Sequence, residues 1–387
     1  MSVLGIKNIG TLISGDVNNP VLKANTIIVK DGVIEAVGNE DLLGKYQLDE
    51  VIDANGTTVS PGFVDTHVHP VIGDFTPRQS MLNFMESSVH GGITTFISAG
   101  EPHTPGRPKD PVGTKALAIL GKKSSENFRP GGAKLLGGSL ILEKGLTEKD
   151  FEELAQAGVE VVGEVGLGSV KDPEEASVMV KWAKANGMTV MMHTGGTSIP
   201  GSSTITAEDV IKTDPDVVSH INGGPTAVPL EEADKLIDDT ELSLELVQCG
   251  NFKVMQYVAE RLAKKGQLAR LLMGTDAPSG TGVIPLSQLR TISYLASCCE
   301  GVSAAEAVCV ATGNNAKKFK LNRGFIEAGK EADFVMMDTP LGSVGKDALE
   351  ALEAGDLPGI SFVIVDGKIV VKKSRNTPPA SRQPAIV

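Results

Sequence analysis

The chain has 387 residues, enough for about two and a half average domains, or for one large domain of about 250 residues with a small companion. Its 41% hydrophobic and 22% charged residues are globular proportions and exclude a wholly disordered or low-complexity chain. A net charge of −12 and 4% aromatics disfavour phosphate-backbone binding and base stacking, so no nucleic-acid partner is expected.

The first ten residues, MSVLGIKNIG, lack the charged stretch and long apolar core of a signal peptide. No apolar run approaches the roughly 18 residues of a membrane span. The four cysteines, Cys249, Cys298, Cys299 and Cys309, show no CxxC spacing and no disulfide framework. A cytoplasmic protein with no membrane partner is expected.

The N-terminal stretch is rich in short β-type runs. Thr26–Val29 and Val33–Val37 flank Asp31-Gly32, the signature of a tight hairpin. From about residue 60 to 320 the pattern changes to short apolar runs alternating with helical segments, which predicts βαβ units and a parallel sheet. Eight strands are predicted, ending near His67, Ser98, Leu142, Glu164, His193, His220, Gln248 and Asp276. Helix starts are read at Thr147–Asp150, at Asp172-Pro173-Glu174 and at Ser303–Glu306. In the helix after Pro173, Val178, Trp182 and Ala185 share one face. The C-terminal stretch is β-rich again, with 331–338 as one strand and a second Asp-Gly hairpin at Asp366-Gly367. No GxGxxG follows the first strand, so an open doubly wound sheet is disfavoured. The predicted fold is α/β: a (β/α)₈ TIM barrel with a small composite β-sandwich formed by both termini. Its expected boundaries are 1–59 and 323–387 for the sandwich and 60–322 for the barrel.

Chemistry-bearing side chains sit where the predicted strands stop. They are His67 and His69 on the first, Glu164 on the fourth, His193 on the fifth, His220 on the sixth and Asp276 on the eighth. In a barrel all these ends converge on one face, where active sites are built. His67 and His69, two apart on a strand, point the same way. Four imidazoles and two carboxylates around one point are a ligand set for one or two divalent metal ions. His90, at a helix end before two glycines, reads as structural. His103, in a loop after the second strand, is expected on the active face near substrate. Thr194 and Gly195 are further candidates for substrate contact, through backbone donors after the fifth strand. Arg107 is one of several βα-loop cations that could meet a substrate carboxylate.

The motifs resemble those of the amidohydrolase superfamily. Pro61-Gly62-Phe63-Val64-Asp65-Thr66-His67-Val68-His69 is similar to its first-strand PGxxDxHxH motif. Gly92-Ile93-Thr94-Thr95 is similar to GxTT, Gly274–Pro278 to TDxP, and Gly329–Val335 to GxxADxV. The resemblance implies that His67, His69 and Asp276 hold a first metal and that His193 and His220 hold a second. It implies two divalent ions, Zn²⁺ with Fe²⁺ possible at one position. Relatives often bridge the ions with a carboxylated lysine on strand four; Glu164 stands there instead, and Lys171, seven residues on, is a poor substitute. The implied reaction is hydrolysis of a C–N bond in a small carboxylated cyclic amide, with Asp276 as the proton-transferring catalytic residue. Within the superfamily the glutamate points to a cyclic enamide. Alternatives are a dihydropyrimidinase- or dihydroorotase-like cyclic amidase, an acyl amino acid hydrolase, an aminohydrolase, or a non-catalytic barrel. A homo-oligomer, with a tetramer as the expected form, is a further implication.

Overall fold

The computed structural model describes residues 2–70, 81–101, 106–197, 204–224, 226–278 and 283–387, with the side chains of 81–83 left aside. His103 lies outside the described residues.

Eight parallel strands form the centre: β1 (Phe63–Val68), β2 (Ile93–Ser98), β3 (Lys134–Leu136), β4 (Val161–Val165), β5 (Thr189–Met192), β6 (Val217–Val218), β7 (Ser243–Val247) and β8 (Leu271–Gly274). β1, β2 and β3 pair as one sheet and β4 to β8 as another. Two bridges join them into a ring, Leu140 to Val162 on one side and Val68 to Ala277 on the other. Helices follow the strands: α1 (Met81–Val89), α2 (Pro111–Asn127), α3 (Glu148–Gln156), α4 (Pro173–Ala185), α5 (Ala207–Thr213), α6 (Leu230–Asp238), α7 (Phe252–Lys264) and α8 (Ser287–Cys298). This is the TIM-barrel alternation. Its strand residues are almost wholly buried, as a sheet covered by helices requires.

The third strand departs from the sequence reading, which carried it to Leu142. It stops at Leu136 because Gly137 and Gly138 lie tight against α2; a Cβ on Gly138 would stand 2.3 Å from the Ala118 carbonyl oxygen. Leu140 then regains the ladder beside Val162. The inward face of α4 also differs. Ala176, Met179, Val180 and Ala183 are buried, at the i, i+3, i+4, i+7 spacing that faces a core, whereas Val178 is 47% exposed. Trp182 is half-buried and packs on Phe151, with ring centroids 5.9 Å apart. The three helix starts form as read. Thr147 with Asp150 and Ser303 with Glu306 make reciprocal capping boxes, and Asp172 accepts the Glu174 N–H.

Strands from both ends of the chain make two further sheets. One runs Ala385–Ile386, Glu50–Asp53, Val3–Lys7, Thr26–Lys30, Val33–Gly38. The other runs Lys368–Val371, Gly359–Val365, Phe334–Asp338, Thr58–Pro61, Thr11–Ile13, Val21–Leu22. Both Asp-Gly hairpins are present. Asp31 and Gly32 (φ 50° and 82°) and Asp366 and Gly367 (φ 49° and 71°) supply the left-handed pair such a turn needs. Leu4, Ile6 and Ile27 of one sheet pack with Leu12, Val59, Phe334 and Phe362 of the other in a shared core, which makes the pair a sandwich. Among the described residues no helix is long and apolar enough to cross a membrane.

Candidate metal centre

The seam between β1 and β8 assembles the first half of the site. The Asp276 N–H donates to the His67 carbonyl (2.9 Å) and the His69 N–H to the Ala277 carbonyl (3.0 Å). Gly274 allows this approach, since a Cβ there would lie 2.6 Å from the Cβ of His67. Asp65, fully buried, accepts the Thr275 hydroxyl (2.6 Å) and the N–H groups of Thr275 and His67. Burial pushes its pKa up to about 7 against those three bonds.

Glu164 reaches the same point from β4. Its N–H donates to the Ala99 carbonyl at the end of β2 (2.9 Å), and Gly163 lets the two backbones meet. The carboxylate is divided between two pairs of rings. Oε2 lies 3.5 Å from His67 Nε2 and 3.4 Å from His69 Nε2. Oε1 lies 3.1 Å from His193 Nδ1 and 2.7 Å from His220 Nε2. Asp276 Oδ1 completes the first group, 3.5 Å from His67 Nε2 and 3.1 Å from His69 Nε2. All six residues that the strand-end pattern singles out are thus brought together.

His220 and Asp276 hold left-handed backbones, with φ of 35° and 58°. A non-glycine residue at positive φ costs roughly 1–3 kcal/mol and persists where its surroundings impose it. His193 is the most open of the four rings, at 31% side-chain exposure.

The imidazoles and carboxylates of the cluster shift one another's charge states. Burial works against a charged His67, yet the Glu245 and Glu164 carboxylates outweigh it and hold its pKa well above the ordinary histidine value. Burial likewise opposes charge on His220, and Glu164 raises it on balance. Burial would lift Glu164 and Asp276. The neighbouring imidazoles instead hold Glu164 well below the carboxylate range, and His69 and His67 depress Asp276.

The residues fit a pair of ions. Among the described residues His67 Nε2 is buried with no hydrogen-bond partner, an exceptional state for a polar atom. Two atoms on one tetrahedral ion with bonds of about 2.1 Å stand roughly 3.4 Å apart, and the first group spans 3.1 to 3.5 Å. Three triads have ligand atoms mutually within 4.8 Å: His67, His69, Glu164; His67, His220, Asp276; and Glu164, His193, His220.

Sequence reasoning missed Glu245. It lies in β7, wholly buried, and accepts His67 Nδ1–H at 2.7 Å and the Thr66 hydroxyl at 2.5 Å. A charged residue inside the apolar run Leu244–Val247 was the available signal. Cys249 was also unassigned; its thiol donates to Asp276 Oδ2 at 3.2 Å. Thr194 spends its hydroxyl on the Ser219 carbonyl (2.6 Å), and Gly195 bridges to Ile205. Arg107 is ion-paired with buried Glu143 at 2.7 Å. The Lys171 amine, bonded to the Gly166 carbonyl, is turned to solvent. His90 accepts the Arg375 N–H at Nδ1 and ties α1 to the C-terminal segment. A groove of about 1050 Å³ opens at the opposite end of the barrel beside Thr189, Asp216, Ser243 and Leu272.

The fold and the ligand cluster define a metal-dependent hydrolase, and the sequence model of the amidohydrolase family matches residues 58–370. The chain belongs to that family and is a hydrolase of C–N bonds. It is 58% identical to enamidase from Eubacterium barkeri over 387 residues, all of both chains. A crystal structure of enamidase superposes with a TM-score of 0.97, also at 58% identity and full coverage of both chains. D-hydantoinase shares the fold, with a TM-score of 0.70 at 16% identity over 98% of each chain.

Proposed function

We propose that this protein is an enamidase: it opens a carboxylated cyclic enamide and releases ammonia, using two divalent ions held by the barrel over residues 60–322. The full-length likeness to enamidase carries this reading. The substrate is the tetrahydro-oxo derivative of nicotinate, and the products are formylglutarate and ammonia. The sandwich of residues 1–59 and 323–387 acts as scaffold.

His67, His69 and Asp276 would hold one ion and His193 and His220 the other, with Glu164 shared between them through its two oxygens. Such ions polarise a carbonyl and bring the pKa of a water toward neutrality. Zinc, with iron at one position, suits imidazole and carboxylate donors.

Asp276 carries the proton traffic. Oδ1 faces His67 and His69, leaving Oδ2, steadied by the Cys249 thiol, to take a proton from the attacking water. Delivery of that proton to the ring nitrogen expels it from the lactam carbonyl and opens the ring. The freed enamine tautomerises to an imine. A second water adds to its carbon, and loss of ammonia leaves the aldehyde. One carboxylate thus serves two successive hydrolyses. The assembly is a homo-oligomer, a tetramer by family resemblance.

The test is an assay of the metal-loaded protein on a panel of lactams, hydantoins and acyl amino acids. Ammonia and an aldehyde in equal amounts from the cyclic enamide are expected. Ring opening of a hydantoin or dihydropyrimidine, with none of the enamide, would refute the reading in favour of another cyclic amidase.

A further inference from the structure

Glu245 belongs to no ligand triad, yet both its oxygens are committed to the metal centre. Oε2 accepts the ring Nδ1–H of His67 (2.7 Å) and the backbone N–H of His220 (3.2 Å). Oε1 accepts the hydroxyl of Thr66, the residue next to His67 (2.5 Å). The side chain is wholly buried, and its own carbonyl accepts the Ile221 N–H (2.9 Å). A buried carboxylate is costly, and a role in packing alone would be met by an apolar side chain of equal size.

We propose that Glu245 is the positioning residue of both halves of the site, fixing one ligand of each ion from a single carboxylate. This rests on the two-ion reading above. On the first side it sets the tautomer. With the Nδ1 proton given to Glu245, the Nε2 lone pair of His67 faces Glu164 and Asp276, where Nε2 has no hydrogen-bond partner among the described residues. His69 gains the same orientation from a neutral acceptor, the Gly100 carbonyl at 2.8 Å. On the second side it acts through the backbone. His220 sits at φ 35°, and the bond from its N–H to Oε2 holds that conformation and aims the ring at Glu164. Strain of this kind is retained where neighbouring bonds over-determine it. Two ions held here would therefore be coupled through the protein beneath them as well as through Glu164.

The experiment reconstitutes wild type and Glu245→Gln with Zn²⁺ at both positions and strips it with rising chelator, reading zinc per chain, with the Tm of each metal-free protein measured separately. The glutamine keeps the volume and one acceptor oxygen but cannot accept at both positions. Both ions should leave Glu245→Gln at roughly 10–100-fold lower chelator than wild type. Stripping curves that coincide with wild type, or loosening of one ion alone, overturn the proposal. A merely structural role lowers the metal-free Tm and leaves the curves in place. Should Glu245→Gln not fold, ¹⁵N-histidine NMR of the zinc-loaded wild type decides. The Nδ1–H tautomer is expected for His67, and an Nε2–H tautomer overturns the assignment. Failure of wild type to hold zinc would refute the two-ion reading itself, and this inference with it.

Discussion

Glu164→Ala is the sharpest perturbation of the site. The carboxylate is 2% exposed and stands 2.7 to 3.5 Å from all four imidazoles. A structural zinc ion binds with about 10–16 kcal/mol over four ligands, or roughly 3 kcal/mol per ligand. At about 1.4 kcal/mol per tenfold, loss of one ligand weakens an ion roughly 100-fold. Because Oε1 and Oε2 face different ring pairs, both ions should be weakened at once. Metal content is measured after equilibration with a chelator that leaves wild type loaded. The variant is expected to fold and to retain less than one ion per chain. Glu164→Gln, which keeps the volume and one acceptor oxygen, separates the lost ligand from lost packing. Retention of two ions by Glu164→Ala would place the bridge elsewhere and refute the reasoning.

Three other outcomes follow from the geometry. Asp276→Asn, compared at equal metal content, should lower kcat by at least about 100-fold; activity within tenfold of wild type would end its role as proton carrier. In the metal-free protein His67 and His220 titrate above 6.5, so the stability they confer is complete below that pH and is lost as pH rises through their raised values. Glu164 and Asp276 titrate below 4.5 and 3.8, so theirs is present above those values and lost as pH falls through the depressed ones. The chelated protein should therefore melt highest between about pH 4.5 and 6.5, and bound metal should abolish the alkaline fall by replacing the imidazole protons. An equal alkaline fall with and without metal would contradict this. Gly274→Ala places a Cβ 2.6 Å from that of His67, so β1 must move. A loss of about 1–3 kcal/mol in stability, together with reduced metal content, is expected, and unchanged melting and occupancy would show that the seam yields freely.

The barrel was legible because its strands are buried on both faces and read as nearly continuous apolar runs, most of them ending in a polar residue. His67, Glu164, His193, His220 and Asp276 stood out as interruptions of that pattern. Glu245 did not, since it falls inside its run, and its meaning depends on His67 and Thr66 arriving from β1, two strands away across the closing seam. The end of β3 was hidden for a similar reason. What halts it is the close approach of α2 to Gly138, a long-range packing event that a run of apolar letters does not record. On α4, Val178 lay on a regular helical stripe, but the helix turns Met179 and Val180 toward the barrel. Periodicity offered two faces, and tertiary contact chose between them.

The sandwich sets a schedule for biosynthesis. Pro61 finds its antiparallel partner in Phe334, and Asp53 pairs with Ala385, so the early strands wait for about 270 residues or more of further chain. At roughly 5–20 residues per second that is tens of seconds on the ribosome. During this interval Thr58–Pro61 and Glu50–Asp53 carry open hydrogen-bonding edges, the kind that nascent chains use to find wrong partners. Most barrel strands pair with near neighbours in sequence, and within the barrel the seam of β1 with β8, Val68 beside Ala277, waits in the same way. The last strands to be made are therefore the ones that close the first, and the fidelity of synthesis at the end of the chain guards the solubility of its beginning.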